Sequence, residues 1–98
     1  MSVQRFYLVC YDIRDPKRLR NVHKVMKGYG APWQLSVFLC QLHNIDRVRL
    51  EADLSKVMNL KTDQAIVVDL GANERAMRGG VTVIGPSLPE RANGIVIV

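Results

Sequence analysis

At 98 residues with a net charge of +5 and 48% apolar content, the chain is long enough for one compact domain and no more. No apolar run approaches the roughly 20 residues a membrane span needs, and the opening Met-Ser-Val-Gln-Arg-Phe lacks the pattern of a secretory signal, so a cytoplasmic protein with no membrane role is expected. Cys10 and Cys40 sit singly inside apolar segments, which argues against a disulfide framework or a zinc site and for small core residues.

Taken in chain order, the first element is Phe6 to Ile13, whose aromatic and β-branched residues read as a buried strand ending at Asp12. Asp15 and Pro16 then open a helix, Asp as cap and Pro at the first position. Leu19, Val22, Val25, Met26 and Tyr29 recur at helical spacing, with Gly30 as the expected C-terminal cap. The stretch from Trp33 to Leu42 is too long for one strand and is expected to be a strand pair broken near Ser36. Asn44 and Asp46 open a second helix with Leu50, Leu54, Val57 and Met58 on its inner face. Arg47–Glu51 and Arg49–Asp53 are spaced to pair on its outer side.

Ala65 to Leu70 reads as another buried strand. Val81 to Ile84 reads as a short one, after a loop carrying Arg75, Arg78 and a Gly79–Gly80 turn. The order βαββαβ is the ferredoxin-like arrangement of the α+β class: an antiparallel sheet with two helices on one face, here with extra C-terminal strands. Residues 1–85 would form this domain and residues 86–98 an extension. Its apolar Gly94 to Val98 is expected to pair with a sheet edge, in the dimer partner, because an exposed strand of that kind aggregates.

Two features carry candidate chemistry. Asp12 ends a run of apolar strand residues, where a charge is costly unless it is paired or bound. A turn or capping role is the plain alternative, weakened because Asp15 already fills the cap. One carboxylate cannot cage a metal, yet Mg²⁺ often takes only one or two carboxylates beside water and phosphate, and a two-fold axis could bring two copies of Asp12 together. The second feature is the first helix, where Lys17, Arg20, Lys24 and Lys27 form one stripe flanked by Arg14 and Arg18, with no acidic residue from Pro16 to Gly30. A solvated helix face is the plain reading; contact with nucleic-acid phosphates is favoured, since a two-fold dimer would carry +10. His23, His43, Ser36 and Tyr11 are read as structural.

The ordered set Tyr11-Asp12-Ile13, Tyr29-Gly30 and Gln34-Leu35-Ser36-Val37-Phe38 resembles the CRISPR-associated protein 2 family. Leu70-Gly71-Ala72-Asn73 and the short segment ending at Gly85 extend the likeness to nearly the whole chain. The resemblance implies a ferredoxin-like homodimer in which Asp12 of both subunits faces a shared Mg²⁺. It implies a metal-dependent endonuclease acting on double-stranded DNA or single-stranded RNA. It also implies a bridge between dimers of the CRISPR integrase, CRISPR-associated protein 1, in spacer acquisition. Many members carry Arg two residues before the motif Gln, where this chain has Pro32, and an acid after the motif Phe, where it has Leu39. A toxin-type mRNA endoribonuclease on the same fold is the alternative reading.

Overall fold

The computed structural model describes residues 3–88, so the Gly94 to Val98 segment lies outside the described residues. The elements are β1 (Arg5–Asp12), α1 (Pro16–Lys27), β2 (Gly30–Gln34), β3 (Val37–Leu42), α2 (Asn44–Val57), β4 (Gln64–Gly71) and α3 (Glu74–Gly79). The four strands form one antiparallel sheet in the order β2-β3-β1-β4, which is the ferredoxin-like arrangement.

Strand alternation divides the apolar residues between two faces. Tyr7, Val9 and Tyr11 of β1, with Phe38, Cys40 and Leu42 of β3, point to the face covered by α1 and α2. There they pack against Val22, Met26, Leu50 and Leu54. The opposite face holds Phe6, Trp33, Leu39 and Met77, with Leu8, Val37, Leu70, Val81 and Leu88 packed around them.

The start of α1 follows its sequence signals. Asp15 accepts the Arg18 backbone N–H at 2.9 Å and Pro16 occupies the first turn. Its end differs from expectation: the helix stops at Lys27 and Gly28 is the cap, its N–H donating to the Val25 carbonyl at 3.0 Å. Gly30 instead starts β2. A Cβ there would lie 2.4 Å from the Leu39 carbonyl oxygen and 2.6 Å from Cys40 Sγ, so only glycine lets the two strands approach. Pro32 is tolerated because β2 is an edge strand. The strand pair breaks between Gln34 and Val37, and the Ser36 carbonyl accepts the Tyr11 N–H at 3.1 Å.

Four further expectations need correction. Residues 74–79, read as a loop, form α3, which Asn73 caps by accepting the Ala76 N–H at 2.8 Å and which buries Met77. Val81 to Ile84 is not a strand. It lies beside a cleft on the second sheet face, with Val81 and Val83 half-buried and Ile84 almost fully exposed. β4 is not buried on both sides: it is an edge strand whose Ile66 and Val68 remain 50% and 39% exposed. On α2, Arg47 pairs with Glu51, but Arg49 reaches Asp46 at 3.6 Å, because Asp53 accepts the Tyr29 hydroxyl at 2.5 Å.

Candidate nucleic-acid and metal site

β1 delivers Asp12 to the rim of the sheet. It is exposed, on the same side as Leu8 and Cys10, and opposite Gln64 in the register with β4. A shallow cleft of about 150 Å³ is lined by Cys10, Tyr11, Asp12, Gln64 and Ile66. Asp12 has no hydrogen-bonded or ionic side-chain partner among the described residues, unlike every other aspartate. That carboxylate fits one oxygen ligand of a Mg²⁺ that keeps its waters. It does not fit a complete cage, since no cluster of three or more His, Cys, Asp or Glu side chains exists among the described residues.

The chain immediately after Asp12 is fastened by a residue that the sequence reading passed over. Asp63 lies in the polar loop before β4 and reads as a solvated turn residue, yet its side chain is fully buried. Its Oδ1 accepts the Arg14 N–H at 3.0 Å and Arg18 Nη2 at 3.2 Å; its Oδ2 accepts Arg18 Nε at 2.8 Å and the Asn59 N–H at 2.9 Å. The Arg18 guanidinium and then the two backbone N–H groups hold the Asp63 carboxyl well below the usual carboxylate range, against the opposing effect of burial. Arg18, expected among the phosphate contacts, is therefore committed to an internal ion pair. The one available signal for this pairing was an acid placed directly before an apolar strand.

The rest of the basic set is open. Arg14, Lys17, Arg20, Lys24 and Lys27 are all exposed. None has an ionic partner among the described residues. Arg20, Lys24 and Lys27 border a groove of about 360 Å³ whose apolar lining comes from Leu19 and from Leu35 at the β2–β3 turn. His23 also borders it and is used structurally. Its Nδ1 lies 3.2 Å from the Tyr11 hydroxyl, which also donates to the Leu35 carbonyl at 3.3 Å, and its ring meets Phe38 edge-on at 5.3 Å. Burial raises the Tyr11 hydroxyl pKa. Cys40 is buried and Cys10 half-buried, and the two do not form a disulfide.

Away from this region, Arg5 grips Asp69 through both carboxylate oxygens at 2.9 and 3.2 Å, tying β1 to β4. Leu39 is fully buried, so the acid common at that position in the resembling family would face the second core here.

A ferredoxin-like sheet with an exposed carboxylate at the end of its first strand and a basic first helix defines a small α+β protein. The chain belongs to the Cas2 family: the family model for CRISPR associated protein Cas2 matches residues 5–78. It is 44% identical over 73 residues to a Rhodospirillum rubrum protein named CRISPR-associated endoribonuclease Cas2 1, covering 74% of this chain and 72% of that one. It is 35% identical over 96 residues to the Geobacter sulfurreducens CRISPR-associated endoribonuclease Cas2, covering 98% and 100%. Among solved structures, Streptococcus pyogenes Cas2 superimposes with a TM-score of 0.70 at 33% identity, covering 82% of this chain and 99% of that one. No helix among the described residues is long and apolar enough to cross a membrane.

Proposed function

We propose that this protein works as a homodimer that holds nucleic acid during CRISPR spacer acquisition and cleaves phosphodiester bonds at Asp12 with Mg²⁺. One observation carries the reading: the unpartnered Asp12 lies on the same sheet face as the uncovered Ile66 and Val68, beside the cleft that Ile84 borders. A contiguous apolar surface of this kind marks a protein interface. Trp33 Nε1, buried beside that cleft with no hydrogen-bond partner among the described residues, points the same way. Pairing two copies face to face would cover these side chains and bring two Asp12 carboxylates toward one axis.

In that dimer, Asp12 of each subunit would contribute an oxygen ligand to a shared Mg²⁺. The ion would supply charge neutralisation at the scissile phosphate and a water of lowered pKa. The chain's own cations do the rest. Arg14, Lys17, Arg20, Lys24 and Lys27 take backbone phosphates without reading sequence. Neither His23, engaged by Tyr11, nor any other histidine joins Asp12 in the cleft. The scaffold role, bridging the integrase CRISPR-associated protein 1, rests on family membership. The endoribonuclease names of the relatives favour RNA as the scissile strand, which also keeps the mRNA endoribonuclease reading in play.

Replacing Ile66 or Val68 with Asp tests the dimer. Sedimentation should give a monomer, with cleavage lost and binding weakened. A dimer that survives both substitutions would rule out this face.

A further inference from the structure

We infer that Asp63 is a positioning residue for nucleic-acid contact, acting through Arg14. The inference rests on the nucleic-acid reading above and concerns how the loop after Asp12 is aimed. That loop, residues 13–15, leaves the sheet at Asp12 and enters α1 at Pro16. A connection this short carries its side chains wherever its backbone is fixed. Its fixing point is the Arg14 N–H, which donates to Asp63 Oδ1 at 3.0 Å, while the Arg14 side chain stands exposed with no ionic partner among the described residues. The backbone of Arg14 is thus held from behind, and its guanidinium is left free in front.

The pairing of Asp63 with Arg18 makes this hold rigid. Arg18 Nε and Nη2 bind both carboxylate oxygens in a fork, and the Asn59 N–H adds a third direction of restraint from the end of α2. A buried carboxylate costs desolvation that a surface turn residue would avoid. Here that cost goes into joining β1, α1 and the α2–β4 connection behind the two residues that the site exposes, Asp12 and Arg14. Arg18 belongs to this support rather than to the phosphate contacts, and the charge of Asp63 keeps it there.

The test is a double-mutant cycle on duplex DNA affinity across a salt series, with wild type, Arg14→Ala, Asp63→Ala, Asp63→Asn and the Arg14→Ala/Asp63→Ala double variant. Each protein is first checked for folding at the assay temperature. Arg14→Ala should lower the log–log salt slope by about one, as expected for one lost phosphate contact. Asp63→Ala should lower it by the same amount, and the double variant should bind no more weakly than Arg14→Ala alone. Asp63→Asn, which keeps a carbonyl acceptor for the Arg14 N–H, should fall between wild type and Asp63→Ala. It also carries the test should Asp63→Ala fail to fold.

A folded Asp63 variant that binds like wild type would overturn the inference. So would fully additive losses, which would show a purely structural role. An unaffected Arg14→Ala would overturn it while leaving the nucleic-acid reading to Lys17, Arg20, Lys24 and Lys27. A wild type with no affinity for duplex DNA or single-stranded RNA would overturn that reading and the positioning role together.

Discussion

Replacing Gly30 with Ala adds one methyl group to the tightest place in the sheet. The new Cβ would stand 2.4 Å from the Leu39 carbonyl oxygen and 2.6 Å from Cys40 Sγ, where real Cβ atoms keep beyond 3.0 Å. Neither neighbour can yield, since Leu39 and Cys40 are both fully buried. β2 must therefore lift by a good fraction of an ångström from β3 at the Gly30–Cys40 pair. Overpacking of this kind costs about 1–3 kcal/mol, offset by about 0.4–1 kcal/mol from the stiffer unfolded chain. A net loss of roughly 1–2 kcal/mol should lower the melting temperature by about 5–15 °C in a domain this size. Thermal and urea denaturation followed by circular dichroism would read it. Adding Cys40→Ala should not restore the loss, because the backbone carbonyl clash remains. A Gly30→Ala protein as stable as wild type would refute the claim that strand approach, and not chance, places glycine after Tyr29.

Other outcomes follow from the same structure. Phe38→Ala removes a fully buried ring that stacks on Tyr11 at 6.3 Å and should cost about 3–5 kcal/mol in a denaturant titration, most of a small domain's stability. Asp63 has a lower pKa folded than unfolded, where an aspartate titrates near about 3.9, so the unfolded chain takes up its proton first. Its contribution is therefore complete above about pH 5 and drains away as pH falls through about 4 and below. Acid unfolding curves should show this loss in wild type and a smaller one in Asp63→Asn. Changing Lys17, Arg20 and Lys24 together to Ala should flatten the salt dependence of duplex binding by roughly two to three units of slope, and an unaltered slope would make the stripe a solvated surface only.

The parts of the fold that were legible in the sequence are those with local causes. Asp15 and Pro16 announce the start of α1 because capping chemistry acts within four residues. The break at Ser36 shows because ten strand-forming residues cannot run straight in a small domain. What sequence reading missed depends on distant partners. Asp63 reads as a turn residue until Arg18, 45 positions earlier, is folded onto it. α3 is six residues long, too short for a periodic signal, and only Asn73 and the buried Met77 mark it. The apolar run in β4 reads as fully buried because sequence cannot distinguish a strand covered by its own chain from one left open at Ile66 and Val68. Val81 to Ile84 has strand composition, but it lies against the second face beside Leu8 and Val37, with no strand partner among the described residues. Asp12 stands out in the sequence as a candidate, because an acid at the end of an apolar strand is conspicuous with no knowledge of its neighbours. Of the basic set, Arg18 alone has an ionic partner among the described residues, Asp63, which no local pattern announces.

The central claim is that Asp12 is the site of metal-dependent cleavage in a nucleic-acid-binding protein. The most direct test compares wild type with Asp12→Ala on double-stranded DNA and single-stranded RNA, with Mg²⁺ and with chelator. The account predicts cleavage by wild type with Mg²⁺ alone, none by Asp12→Ala, and undiminished nucleic-acid binding by both. Equal cleavage by the two proteins, or cleavage that persists in chelator, would contradict it.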